Sequence, residues 1–222
     1  MSGSLDFDWL GGAVAVLVHG AATTMGLIVV TAALGTVLSI LGAAARRGQN
    51  ALLRGAVAAY VEFIRNTPFL VQIFFIFFGL PAIGVRLNAV PAAIVAMTVN
   101  LSAYGIEIVR SGLDAVPRGQ VEAAAALGLR RYRAFVSVIL PQAFRVMFPA
   151  LSSQIVITML ESAVVSQIAV RDLTYEADLL QARTFLAFET YLVVAGIYFA
   201  LATLIRRAMQ AGARRFLMQG QA

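Results

Sequence analysis

Residues 17–44 read LVHGAATTMGLIVVTAALGTVLSILGAA, a run without Asp, Glu, Lys or Arg that is closed by Arg46-Arg47. A helix needs about 20 apolar residues to cross the hydrocarbon of a bilayer, and this run exceeds that. Comparable stretches recur near 52–80, 90–111, 146–168 and 186–205. They are long and unbroken, where a transmembrane β-barrel would alternate with period two. The remainder of the 222-residue chain agrees: 60% of residues are hydrophobic, 13% are charged and the mean hydropathy is +0.85. A soluble domain carries about 25% charge and could not hide this much apolar surface. A soluble enzyme and a disordered chain are both excluded. The expected fold is all-α: an integral membrane bundle of five transmembrane helices. It forms one domain over 1–222, with its core at 17–207 and a cytoplasmic loop at 112–145.

All 17 basic residues are Arg, against 11 acids, for a net charge of +6. Five spans place the termini on opposite sides. With the N-terminus outside, the inner side holds Arg46, Arg47, Arg54, Arg110, Arg118, Arg130, Arg131, Arg133, Arg145, Arg206, Arg207, Arg214 and Arg215. The outer side holds only Arg86, Arg171 and Arg183, with Asp6, Asp8, Asp172, Glu176 and Asp178. This asymmetry predicts N-terminus out, C-terminus in. It also accounts for the basic charge without nucleic acid, since no aromatic-plus-basic surface stands apart from the spans. The opening residues MSGSLDFDW carry two acids and no basic residue, unlike a cleaved signal, and Trp9 reads as an interfacial anchor. With no Cys, disulfides and thiolate chemistry are excluded. His19, the single His, cannot form a metal cluster.

The second stretch is interrupted at Arg65-Asn66-Thr67-Pro68. Pro68 removes a backbone donor and clashes with the preceding turn. So 52–64 is either an interfacial helix or the first half of a kinked span, and Glu62 is spaced to pair with Arg65 on one face. Span three carries Asn100, Tyr104, Glu107 and Ser111 along one helical face. Span four repeats that spacing with Gln154, Thr158, Glu161 and Val165, flanked by Ser162 and Ser166. Thr24, Thr31, Gly35 and Gly42 line one side of span one, where small and polar residues are expected to knit helices together. A carboxylate at membrane depth is costly and faces a partner or a water-filled cavity. The two Glu-bearing stripes are therefore read as a polar pathway.

Segment 112–145 is neither Gly/Ser-rich nor disordered in composition. Pro117 suits a first helical position and Gly128 the residue after a last turn. Glu122 is expected near the helix start, where the dipole favours an anion. A second helical piece is expected from Arg130 to Ile139, stopped by Pro141. Two capped helices standing off a membrane face offer a handle to a soluble partner.

Glu122-Ala123-Ala124, Gly128, Val138 and Leu140-Pro141 stand in a spacing that resembles the cytoplasmic loop signature of ABC importer permeases, with Val138 where that family has Ile. Ala103-Tyr104-Gly105-Ile106-Glu107-Ile108-Val109-Arg110, Gly119-Gln120 and Pro141-Gln142-Ala143 are similar to its polar amino acid branch, the histidine/glutamine/arginine permease type. So are the stretch from Arg65 to Gln72 and Phe78-Gly79-Leu80-Pro81. The resemblance runs from about residue 20 to 205.

It implies a multi-pass permease subunit of the bacterial inner membrane that carries a polar amino acid, or another small polar or amino-acid-like solute. It also implies a coupling helix, with Gly119, Gln120, Glu122, Ala123, Ala124, Gly128, Leu140 and Pro141 at the contact with an ABC ATPase subunit dimer. The further partners implied are a second permease, identical or paralogous, an extracytoplasmic substrate-binding protein and membrane lipids. The substrate pathway is assigned to Thr67, Asn100, Tyr104, Glu107, Gln154, Thr158, Glu161 and Ser162. No Arg lies between Arg145 and Arg171 to pair with Glu161 within its span. The family often has a Lys before an acidic residue here; Leu160 replaces it and leaves the local field more negative. Two roles for Glu161 stay open: receiving a polar or cationic amino acid, or holding a neighbouring helix as a protonated hydrogen-bond donor.

Without Lys the chain has no Gly-x-x-x-x-Gly-Lys-Ser/Thr phosphate loop. It is therefore expected to be no enzyme and to hold no cofactor, with ATP and its magnesium on the partner ATPase. The rival from another class is a small oligomeric channel, which would need no capped cytoplasmic helices. A membrane enzyme would need clustered acid–base side chains that His19 alone does not supply.

Overall fold

The computed structural model describes residues 5–218, with side chains through Arg214. Residues 1–4, within the opening segment read above, lie outside the described residues, as does the side chain of Arg215, counted among the inner arginines. The helices are α1 (Leu10–Arg47), α2 (Ala51–Arg65), α3 (Phe69–Phe74), α4 (Ala89–Asp114), α5 (Arg118–Ala126), α6 (Arg131–Ala134), α7 (Leu140–Glu161), α8 (Leu173–Thr184) and α9 (Ala187–Met218). Among the described residues, four helical stretches are long and apolar enough to cross a bilayer: Leu10–Arg47, Ala89–Asp114, Arg131–Ile168 and Ala187–Arg214. A fifth, Ala51–Arg65 followed by Phe69–Ile83, is bent by 110°. The fold is an all-helical membrane bundle.

Helix α1 runs further than its apolar run. Its 38 residues reach about 57 Å at 1.5 Å per residue, against about 30 Å of hydrocarbon, so its ends project beyond the apolar layer. Along α1, Thr24, Thr31 and Ser39 are fully buried, Thr24 against α8 and Ser39 against α4, the helix that α1 packs on most. Gly105 of α4 permits the closest approach: a β-carbon there would overlap the Ser39 hydroxyl. Lipid tails are as apolar as Leu, so close packing rather than exclusion of water drives this contact. Ile28, Ile73, Met97, Leu101 and Met159 complete the core shared by α1, α3, α4 and α7. Val29, Val37, Leu41 and Phe199 point outward, as lipid-facing residues do.

Three sequence expectations change. Pro141 does not stop a helix. Residues Arg131–Ile168 form one continuous helical stretch, because the backbone widens into a π turn at Phe135–Ile139, where the Leu140 N–H reaches the Phe135 carbonyl. Such a turn accommodates the missing proline donor, and Gln142 Nε2 donates to the Val138 carbonyl at 2.8 Å. Glu122 is also not at a helix start: α5 begins at Arg118, its first turn holds no acid, and Glu122 sits mid-helix and exposed. Finally, Glu62 makes no ion pair with Arg65, whose guanidinium instead lies over the Tyr104 ring, 5.3 Å from its centroid.

Helix α8 has no counterpart in the apolar pattern because it is short and polar. Asp172 caps it, accepting the Tyr175 N–H at 2.9 Å. The Leu173 N–H donates to Thr24 Oγ1 at 3.2 Å and so ties α8 to α1. Arg171 pairs with the buried Glu176 at 2.9 Å. The cap and the acid in the first turn were legible as a start signal.

Candidate functional site

The bend after α2 is built by side chains. Thr67 Oγ1 donates back to the Phe63 carbonyl at 3.0 Å. Gln72 Nε2 faces three acceptors: Ile64 O at 2.8 Å, Thr67 O at 2.9 Å and Thr67 Oγ1 at 3.0 Å. Its Oε1 accepts from Asn100 Nδ2 of α4 at 3.0 Å. Thr67 and Asn100, both assigned to the pathway, thus meet at this elbow through Gln72, a residue outside that assignment. No periodicity links residues 72 and 100, so the bond has no sequence signal.

Arg65, Tyr104, Glu107, Ser111, Met147 and Gln154 border a cavity of about 430 Å³ between α2, α4 and α7. A second cavity of about 550 Å³ shares Arg65, Tyr104 and Glu107 and extends to Arg46 and Glu62. Tyr104, Glu107 and Gln154 are therefore brought together, with Arg65 added. The Glu107 carboxylate is not a free anion. Its Oε2 accepts from Arg110 Nε at 3.1 Å and Nη2 at 2.8 Å, and its Oε1 lies 3.7 Å from Arg46 Nη2. Arg110 was detectable at i+3; Arg46 comes from another helix and was not.

Thr158, Glu161 and Ser162 lie beyond these cavities. Ser162 Oγ donates to the Met159 carbonyl at 2.6 Å. Thr158 Oγ1, Asn100 Oδ1 and Glu161 Oε2 are buried without a hydrogen-bond partner among the described residues. Glu161 also enters no ion pair there, so it differs electrostatically from the doubly paired Glu107. An unpaired buried polar atom costs about 1–3 kcal/mol, and a cationic or hydrogen-bonding solute would remove that cost. Among the described residues no group of His, Asp or Glu could hold a metal ion.

Of the residues assigned to coupling, Gly119, Gln120, Glu122 and Ala123 are exposed on α5, while Ala124 is buried against the base of the next span. Gly128 ends this helix at φ +71. Its N–H reaches the Ala125 carbonyl at 2.9 Å and the Leu129 N–H reaches Ala124 at 3.1 Å, the two bonds of a Schellman cap. Leu140 and Pro141 lie apart from α5, where the π turn gives way to α7.

The sequence pattern described as "Binding-protein-dependent transport system inner membrane component" matches residues 35–217. The chain is 34% identical over 188 residues to the probable amino-acid ABC transporter permease protein YckA of Bacillus subtilis (strain 168), covering 85% of this chain and 83% of that protein. It is 38% identical over 168 residues to the L-cystine transport system permease protein TcyB of the same bacterium, covering 76% and 72%. Against the probable glutamine ABC transporter permease protein GlnM, also from that bacterium, it is 41% identical over 143 residues, covering 64% and 66%. Its backbone superposes on a crystal structure of an amino acid ABC transporter with histidines at a TM-score of 0.87, with 33% identity, over 96% of this chain and 99% of that one. The inward-facing MetNI methionine ABC transporter shares the fold at a TM-score of 0.73 and 23% identity, over 95% and 99%.

Proposed function

This chain belongs to the family of binding-protein-dependent transport system inner membrane components, and from that premise we propose that it forms one wall of a path for a polar amino acid. It is the permease subunit of an amino acid ABC importer, a multi-pass component of the inner membrane. It carries no ATPase activity and no cofactor; an ATPase partner handles ATP and a binding protein delivers substrate.

The single domain spans residues 1–222, with its core at 17–207. The arginine asymmetry supports an outer N-terminus and an inner C-terminus. That orientation puts α5 in the cytoplasm, where its exposed Gly119, Gln120, Glu122 and Ala123 present a coupling helix to an ATPase dimer. Leu140 and Pro141 stand at the base of the span that would receive the stroke. A second permease subunit, identical or paralogous, closes the path, whose other wall this chain does not supply.

The observation that carries the substrate reading is Glu161, a carboxylate with a buried, unpartnered oxygen. It is matched to an ammonium or guanidinium group. Thr67, Asn100, Tyr104, Glu107, Gln154, Thr158 and Ser162 make up the rest of the proposed pathway, Glu107 as an anion neutralised by arginine. The test is uptake by the complete importer in proteoliposomes, with its binding protein, for glutamine, histidine, arginine and cystine. ATP-dependent accumulation of a polar amino acid is expected. Ion conduction without ATP would overturn the reading in favour of a channel.

A further inference from the structure

At the arginine-rich end of the bundle, three helices converge on a groove of about 550 Å³. Arg46 and Arg47 come from the end of α1, Arg54 from α2 and Arg110 from α4. The floor on α2 is Ala51, Gly55 and Ala58, one helical face of small side chains. A β-carbon added at Gly55 would meet nothing within 4 Å, so the space is open.

The groove is short of negative charge. Asp114 pairs with Arg47 and Arg110 at 2.9 Å, and Glu107 behind it engages Arg46 and Arg110. Four guanidinium groups less these two carboxylates leave two positive charges uncompensated. Arg54 has no carboxylate partner among the described residues. It also stands at the fourth position of α2, near a helix start, where the dipole disfavours a cation. The N–H groups of Leu52 and Leu53 are taken by the Asn50 side chain, and the Arg54 guanidinium, a donor without an acceptor, has no role in capping a helix start.

Next to this groove, between α1 and α2, runs an apolar cleft of about 380 Å³ lined by Leu38, Leu41, Ala45, Val57 and Ile106. Ser102 and Ile106 of the cleft and Arg110 of the groove lie at i, i+4 and i+8, on one face of α4. A phosphate alone would use only the arginines; a phosphate carrying an acyl chain would use both parts.

We propose that this groove and cleft bind one anionic phospholipid, its phosphate among Arg46, Arg47, Arg54 and Arg110 and an acyl chain along Leu38, Leu41 and Val57. Arginine forks bind phosphate oxygens in pairs, and the small floor lets the headgroup reach them. With the orientation proposed above, the lipid belongs to the inner leaflet. The binding test does not depend on that orientation or on the substrate reading.

Native mass spectrometry of the purified permease–ATPase complex, titrated with phosphatidylglycerol or phosphatidylcholine of matched chains, reads the site. The wild type is expected to retain phosphatidylglycerol in preference to phosphatidylcholine. Arg54→Ala is expected to weaken retention about fivefold, as for one interfacial arginine. Gly55→Leu, which fills the floor without changing charge, is expected to weaken it at least as much, while Arg86→Ala in the loop before α4 leaves it unchanged. Equal retention of the two lipids, or wild-type retention by both groove variants, would overturn the proposal. Displacement of the lipid by millimolar inorganic phosphate would also overturn it, by assigning the groove to a free anion.

Discussion

The side-chain amide of Asn100 on α4 donates to Gln72 Oε1 at 3.0 Å, and Gln72 in turn braces the carbonyls and hydroxyl of the bend that precedes it. One amide therefore holds a 110° turn of the chain against the central helix. Gln72→Leu takes the amide away from the Thr67 carbonyl and from Asn100 Nδ2 in a buried place, while the Ile64 carbonyl keeps the Thr67 N–H and hydroxyl. It is expected to lower stability by about 1–2 kcal/mol, read as a lower thermal midpoint in detergent. Asn100→Asp should cost less if it takes up a proton, because a carboxylic acid still donates to Gln72. Unchanged midpoints in both variants would show that the bend is held by packing alone.

Glu161 Oε2 is buried without a partner, and a charge-assisted hydrogen bond to substrate is worth about 1.5–3 kcal/mol. Glu161→Gln is expected to reduce uptake of a cationic amino acid about tenfold or more, at unchanged amounts in the membrane. Initial rates over a range of substrate concentrations check it. A silent substitution would assign Glu161 to helix packing.

Gly128 ends α5 at φ +71, where a β-carbon costs roughly 1–2 kcal/mol. Gly128→Leu is expected to misplace the turn into the next span. Glu122→Lys reverses an exposed charge on α5. Both variants are expected to abolish ATP-driven uptake while the permease stays in the membrane. Normal uptake by both would remove α5 from the coupling path.

The proposed orientation puts residue 48 inside and residue 88 outside, and both residues are exposed. In intact cells, Gly48→Cys is expected to resist an impermeant thiol reagent and Asn88→Cys to react. The opposite labelling would invert the bundle and dismiss the cytoplasmic assignment of α5.

Asp172 is fully buried at the start of α8, outside the membrane-crossing helices. Burial raises its carboxyl from 3.8 to about 6, against the lowering effect of N–H donors from Tyr175 and Thr174. The folded state thus holds this proton more tightly than the unfolded state. The associated stability is complete below about pH 4 and is lost as pH rises through about 6. Asp172→Asn keeps a cap of similar strength with no charge to bury. Between pH 5 and 7 the wild-type thermal midpoint is expected to fall further than that of the variant. Parallel pH profiles would dismiss Asp172 as the group responsible.

The apolar runs, the break at Arg65-Asn66-Thr67-Pro68 and the Pro117-to-Gly128 helix follow from local rules. Bilayer thickness sets a run length, proline removes a donor and glycine accepts positive φ, and each effect acts within a few residues. The buried stripe of α1 was legible for the same reason, since helical period alone groups Thr24, Thr31 and Gly35. What a face meets is a different matter. That Glu107 is neutralised by Arg46 and not only by Arg110, that Arg65 turns to Tyr104 instead of Glu62, and that Gln72 reaches Asn100 depend on how separate helices are docked. Pro141 continues a helix because a π turn absorbs its missing donor, and α8 is docked by the Leu173 N–H on Thr24 and the Tyr198 hydroxyl on Asp172. Periodicity says which side chains share a face; only the tertiary packing brings that face to its partner, and at membrane depth the partner decides whether a carboxyl group is a neutralised anchor like Glu107 or an unpartnered one like Glu161.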